Sequence, residues 1–381
     1  MKLKYRINTI LKYNNELEKS PDNWGMEAII LGNKCICICN NKKLFVFNKI
    51  FRLIQTINLS TRYIFPKNMI SILNYPNLFA LQEDVYNVHI YEVQSQHKEV
   101  KVILKSQIKS PKKFTDKSFY IFSISCADIL YYFQDNFFIY DIKEKTFTNK
   151  KFCIPSEKKY ELFRHEKYII KIIEYKKNEL IILLRDFIYG KENQDYECDY
   201  IIKNLIVLYD IENSALKKEY MNTVESTGIF HSYLYNYKYD NNSSYSNSQN
   251  IFLINNSIVY IQDSQNEWWD KIYYCVYIIN ILNGDIKYKF EDNDIVSKCF
   301  GFEELFYSFQ KSIYLCENIF LFNGHELAIT KKGVKQNKVD IIYGTNEDDY
   351  KNNKHYFIKI KKDLFLMYNS HEIKICHFAK K

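Results

Sequence analysis

Short apolar runs rich in Ile, Val, Tyr and Phe recur along this chain between polar, turn-forming residues, the pattern of β-strands rather than of amphipathic helices. The plainest instance is Tyr273–Phe290, YYCVYIINILNGDIKYKF. Here an aromatic and β-branched run, a tight Asn283-Gly284-Asp285 turn and the alternating Ile286, Tyr288 and Phe290 predict two strands of a hairpin. Near the N-terminus, Glu27–Leu31, Lys34–Cys39, Leu44–Phe47 and Leu53–Leu59 predict four short antiparallel strands. Gly32-Asn33, Asn40-Asn41 and the residues around Lys49-Ile50 supply their turns. Upstream, Lys2–Ile10 reads as a strand with no partner nearby in sequence.

The third strand of that first set closes on an aromatic residue followed by Asn, at Phe47-Asn48, and this ending recurs. It returns as Tyr91-Glu92, Tyr140-Asp141, Tyr209-Asp210, Ile279-Asn280 and Phe322-Asn323, with a weaker last copy at Cys376-His377. Successive copies are separated by 44, 49, 69, 70, 43 and 54 positions, against about 40 to 50 for repeats that each build one four-stranded blade. Three polar insertions account for the long intervals: about 190–200 (GKENQDYECDY), 237–250 (YKYDNNSSYSNSQN) and 343–354. The second has too little apolar surface to pack and is expected to be a disordered loop. The reading is an all-β chain, 1–381 as a single domain, forming a β-propeller of about seven blades. The last repeat supplies only Tyr356–Ile360, Leu364–Tyr368 and Glu372–Phe378, and the unpartnered N-terminal strand is expected to pair with that blade and close the ring.

With these residues in view, the chain resembles a divergent WD40-type β-propeller, most closely at Tyr277-Ile278-Ile279-Asn280-Ile281 and Asn283-Gly284-Asp285-Ile286. The similarity runs over nearly the whole chain. It departs from the family at the hallmark Trp-Asp, whose place is taken by Phe-Asn, Tyr-Glu or Tyr-Asp, and at the repeat-opening Gly-His, which occurs only out of place at Gly324-His325. What the resemblance implies is a rigid scaffold that presents its faces to other proteins, usually without catalysis.

Composition changes this picture little. The net charge of +8 raises nucleic acid or an acidic membrane as partner, but arginine is confined to Arg6, Arg52, Arg62, Arg164 and Arg185, and the lysines are scattered in pairs such as Lys112-Lys113. The excess of Lys, Asn, Ile and Tyr matches A+T-rich coding, as in some protists. Sequence-specific nucleic-acid binding is therefore not expected. The ten cysteines include no C-x-x-C pair and suit buried thiols in a reducing compartment. No signal peptide and no run of about 20 apolar residues is present, so cytoplasm or nucleus is the expected location and a transmembrane segment is not expected.

Candidate chemistry is sparse. Cys35, Cys37 and Cys39 alternate, so in a strand their thiols line one face instead of converging on a metal. His371 and His377 would stand about 20 Å apart along a strand, too far to share an ion. No G-x-S-x-G, P-loop, G-x-G-x-x-G or H-E-x-x-H motif occurs, and neither a cofactor, a metal nor an enzymatic activity is expected. The adjacent indoles Trp268 and Trp269 cannot both face one core layer of a strand. With Tyr196 and Asp348, which lie in two of the insertions, they are the expected partner-binding residues. The function this supports is a non-catalytic protein-interaction scaffold, a subunit of a larger protein complex. The alternatives are a propeller enzyme or lectin that binds a small ligand in the central channel, and a phosphoinositide or membrane-surface binder. Nothing in the sequence bears on self-association.

Overall fold

In the computed structural model the described residues are 3–14, 27–31, 35–39, 43–59, 69–83, 87–96, 99–109, 120–133, 136–152, 154, 164–192, 198–230, 251–254, 256–265, 272–292, 312–316, 319–322, 325–330, 333–343, 356–361, 364–368 and 372–380. Strand β1 (Leu3–Asn14) is followed by sheets of consecutive strands. The first contains β2 (Glu27–Leu31), β3 (Cys35–Cys39), β4 (Lys43–Asn48) and β5 (Leu53–Asn58). The second contains β6 (Met69–Ser71), β7 (Leu78–Gln82), β8 (Asn87–Gln96) and β9 (Glu99–Lys109). The third contains β10 (Tyr120–Ile124), β11 (Ala127–Phe133), β12 (Asn136–Asp141) and β13 (Thr146–Lys151). The fourth, with the longest strands, contains β14 (Arg164–Lys176), β15 (Glu179–Glu192), β16 (Cys198–Asp210) and β17 (Ala215–Phe230). The fifth contains β18 (Ile251–Ile254), β19 (Ser257–Gln265), β20 (Ile272–Asn280) and β21 (Ile286–Asp292). Then come β22 (Ser312–Cys316), β23 (Ile319–Phe322), β24 (His325–Thr330), β25 (Gly333–Tyr343), β26 (Tyr356–Lys361), β27 (Leu364–Tyr368) and β28 (Glu372–Lys380). The chain divides into two compact units, one of Met1–Asn23 with Ser248–Lys381 and one of Trp24–Asn247.

Within the Trp24–Asn247 unit the middle strands are buried on both faces, which is why they read as unbroken apolar runs. On β7, Phe79 and Leu81 pack with Cys35, Cys37, Cys39 and Val46 of the first sheet, while Leu78 and Ala80 pack with Ile121, Ile129 and Tyr131 of the third. The alternation repeats one sheet on. Leu130, Tyr132 and Phe137 of the third sheet meet Leu180, Ile182, Leu184, Val207 and Tyr209 of the fourth. Phe137 lies at the centre of an aromatic cluster, with ring centroids 4.7 Å from Phe152, 5.7 Å from Tyr132 and 6.0 Å from Tyr209. The outer strands β5 and β13 instead alternate exposed and half-buried positions. The first strands β2, β6, β10 and β14 lie beside one another in turn, so the sheets fan out from a shared inner edge.

The strand expected to pair with the last repeat does so. β1 runs antiparallel to β28, from Tyr5 opposite Lys380 to Asn14 opposite Glu372, and takes the fourth place after β26, β27 and β28. It also pairs in parallel with β25, Leu3–Ile7 against Val339–Tyr343. That second pairing was not expected. It joins two four-stranded sets into one eight-stranded sheet.

The recurring strand ending has a structural cause. Asn48 Oδ1 accepts hydrogen bonds from the Ile50 and Arg52 amides at 3.1 and 3.0 Å, and Asp141 Oδ1 accepts from Lys143 and Glu144 at 2.8 and 2.9 Å. Asp210 Oδ1 accepts from Glu212 and Asn213, both at 3.0 Å, and Asn280 Oδ1 from Leu282 at 3.0 Å. Each side chain thus closes the turn from the third strand to the fourth. Each turn also holds one left-handed residue: Phe51 (φ 65°), Lys145 (54°), Ser214 (51°) and Gly284 (85°).

Three of the expected endings need correction or refinement. Phe322 ends β23, the second strand of its set, and the third strand is β24, ending at Thr330. Tyr91-Glu92 lies within β8, which continues to Gln96, and Cys376-His377 lies within β28. The repeat nevertheless holds at Glu92. The Val93 amide donates to the Asn77 carbonyl at 2.8 Å, as Ile211 donates to Asn178 at 3.0 Å and Ile281 to Asn256 at 3.1 Å.

Candidate interaction surface

A four-stranded antiparallel meander sorts its connections by parity. The turns between strands one and two and between three and four leave from one end, and the connections from two to three and onward to the next sheet leave from the other. The first will be called the turn end and the second the connection end of each sheet.

At the turn end of the Trp24–Asn247 unit the backbone and side chains satisfy one another. Asp210, besides its amide donors, accepts from Asn213 Nδ2 at 3.0 Å and lies 3.2 Å from Lys217 Nζ. The Asn213 hydrogen bonds and the Lys217 ammonium hold its carboxyl at about 2. Lys217 also reaches Glu179 at 2.7 Å. Neighbouring sheets are tied at this end. Leu73 N donates to Ser123 Oγ at 3.1 Å, Asn74 Nδ2 donates to Asp128 Oδ1 at 3.1 Å, and Ser125 N donates to Glu174 Oε2 at 2.7 Å, with the Ser125 hydroxyl also on Glu174.

The connection ends carry the insertions. The residues expected to bind partners all fall there by chain order. Tyr196 lies between β15 and β16, Trp268 and Trp269 between β19 and β20, and Asp348 between β25 and β26. All four lie outside the described residues, as does the 237–250 stretch. The 190–200 stretch is in part regular structure. β15 runs through Glu192 and β16 starts at Cys198, so the hairpin itself is lengthened.

Two polar groups toward the connection ends were not singled out from the sequence. In the second sheet, Glu83 is buried beside His89 Nδ1, and Tyr91 packs edge-on to the His89 ring. Burial, reinforced by Glu83 and Cys39, pushes the Tyr91 hydroxyl far above its ordinary range. In the fourth sheet, Arg185, Asp186, Lys203 and Asn204 are all buried. Arg185 Nε donates to Asn204 Oδ1 at 3.2 Å, directly across the β15–β16 ladder, and Lys203 Nζ donates to Asn222 Oδ1 at 3.4 Å. The interrupted apolar pattern at Leu184-Arg185-Asp186 was their only sequence signal. On the first strand of the same sheet, Lys171 is half-buried, and loss of hydration brings its ammonium down to about 8.

The cysteine row sits where a core row belongs. Cys35, Cys37 and Cys39 are buried against the second sheet, with 4.0 Å between the first two sulfurs. The neighbouring Cys35 thiol and burial push Cys37 well up, away from the thiolate that metal binding requires. Among the described residues no group of three or more His, Cys, Asp or Glu side chains is placed to hold a metal ion. His371 lies outside the described residues, and His377 is exposed on β28. Among the described residues no helix is long and apolar enough to cross a membrane.

No protein-family profile matches the sequence, and no curated protein matches it. Solved structures do. The WD40 domain of Neurospora crassa Pan2 superposes with a TM-score of 0.52 at 7% identity, over 99% of this chain and 94% of that one. The β-propeller domain of Myceliophteria thermophila Cps50 (Swd1) gives 0.51 at 9% identity, over 97% and 99%. Chaetomium thermophilum Sqt1 gives 0.51 at 5% identity, over 96% and 97%. With sheet after sheet of four antiparallel strands, a shared inner edge in the Trp24–Asn247 unit and these superpositions, the chain has the fold of a divergent WD40-type β-propeller.

Proposed function

We propose that this chain is a non-catalytic protein-interaction scaffold, a single propeller domain of about seven blades whose ring is completed by β1, and a subunit of a larger complex in the cytoplasm or nucleus. The observation that carries the reading is the contrast between the two ends of the sheets. The turn end spends its polar groups on its own backbone, whereas the insertions and the Trp268-Trp269 pair all occur in connections of the other end. Long connections on a rigid framework are where binding residues concentrate, and paired indoles are frequent anchors of protein interfaces. In the Trp24–Asn247 unit the half-buried positions of the first strands include Ala28, Ile29, Ile30, Ile70, Phe122 and Ile172, beside the polar Ser71, Ser123, Lys171 and Glu174. The β1–β28 pairing supports closure.

The test is affinity purification of the tagged chain from its native cell at moderate salt, with quantitative mass spectrometry. Stoichiometric protein partners are expected. Recovery of the chain alone overturns the reading and directs attention to small ligands.

A further inference from the structure

Between Glu27 and Glu83 the sequence contains no acidic residue, yet it holds Lys34, Lys42, Lys43, Lys49, Arg52, Arg62 and Lys67. This block supplies nearly all of the first sheet and the first two strands of the second. At its turn end the fold pushes aliphatic side chains outward. Ile50 is 69% exposed, Leu73 54%, Leu53 40% and Ile54 37%, with Lys49 and Arg52 exposed among them. The turn that carries them is held in shape. Asn48 Oδ1 fixes the Ile50 and Arg52 amides, and Phe51 occupies the left-handed region at φ 65°. Leu73, on the corresponding end of the next sheet, is anchored through its amide to Ser123 Oγ. The matching turns of the third and fourth sheets present charge instead, with Lys143, Glu144 and Lys145 on one and Glu212 on the other exposed.

From this juxtaposition we infer that the turn end of the first two sheets docks on an anionic lipid bilayer, Ile50, Leu53 and Leu73 entering the interface while Lys49 and Arg52 meet the headgroups. An aliphatic tip flanked by two cations, Lys49 and Arg52, gains from both acyl burial and surface potential. A nucleic acid would be served by aromatic stacking and clustered arginine, and the exposed large apolar side chains here are Ile and Leu. The inference is independent of the scaffold reading, which concerns the connection ends.

The test is sedimentation of the full chain with phosphatidylcholine vesicles containing about 30 mol% phosphatidylserine and with pure phosphatidylcholine vesicles. Binding to the anionic vesicles, weakened by salt, is expected. The K49E/R52E pair should lose affinity by about thirtyfold or more, from about fivefold per basic residue. I50D/L73D should lose a comparable amount, and K143E/K145E, on the third sheet, should bind as wild type does. All three variants alter exposed side chains, so unchanged thermal unfolding certifies each. No sedimentation, equal binding to the neutral vesicles, or variants that bind normally would overturn the inference. So would retention on RNA or polyglutamate without vesicle binding, which would assign the block to a nucleic acid or an acidic protein.

Discussion

Replacing Phe137 with alanine probes the sheet-on-sheet packing on which the whole arrangement depends. The ring is fully buried on β12 and meets Tyr132 of its own sheet, Phe152 just past β13 and Tyr209 of the next sheet. Truncating a buried Phe costs about 3–5 kcal/mol through lost transfer energy and the cavity left behind. Three aromatic contacts, each about 0.5–1.5 kcal/mol beyond area burial, place this site toward the upper end. For a unit of this size about 2–4 °C is lost per kcal/mol, so Phe137→Ala should lower the melting temperature by about 10–15 °C. Calorimetry with denaturant unfolding measures it. Phe137→Leu should cost about 1–2 kcal/mol, and Leu104→Ala, at a 53% exposed position, less than about 0.5. A Phe137→Ala protein within about 1 kcal/mol of wild type would refute the packing of the third sheet against the fourth.

Three further outcomes are expected. Deleting residues 1–14 removes the ladders to both β28 and β25 and should lower the melting temperature substantially; an unchanged value would show that β1 closes nothing. Asp210, held at about 2 against about 3.9 in an unfolded chain, contributes stability that is full above about pH 4 and lost as pH falls toward 2. In Asp210→Asn that part of the acid limb should vanish from pH-dependent melting curves while the turn persists, because Asn48 and Asn280 already close equivalent turns. Native protein treated with iodoacetamide should leave Cys35, Cys37 and Cys39 unlabelled by peptide mapping, and rapid labelling would contradict their burial.

Much of the fold was legible because burial writes itself into the pattern. β2 was read at its observed bounds, and β3 to β5 to within a residue, since strands buried on both faces are apolar throughout and their turns need Asn and Gly. The third-strand ending worked as a ruler where it has a physical job: Asn48, Asp141, Asp210 and Asn280 accept amides of the following turn. It misplaced one strand at Phe322-Asn323 because an aromatic followed by Asn-Gly also suits a short connection between strands two and three, where β23 gives way to β24. The parallel β1–β25 pairing had no signal at all, since strand composition does not encode which distant edge a strand meets. Trp268, Trp269 and Tyr196 were singled out as aromatic residues in polar stretches between strands, and all three lie outside the described residues. The Glu83–His89 pair and the Arg185–Asn204 contact were not, because each depends on a cross-strand register that only the folded ladder sets.

The most direct test of the central claim is to ask which end of the sheets holds the partner. The wild-type chain, a Trp268→Ala/Trp269→Ala variant with Tyr196→Ala, and the K143E/K145E turn-end variant would be purified side by side from the native cell, with the co-purifying proteins quantified. The account predicts that the connection-end variant loses its stoichiometric partners about tenfold or more, the loss expected when anchor residues worth about 2 kcal/mol are removed, while the turn-end variant keeps them. Partners retained by the first variant and lost from the second would contradict it.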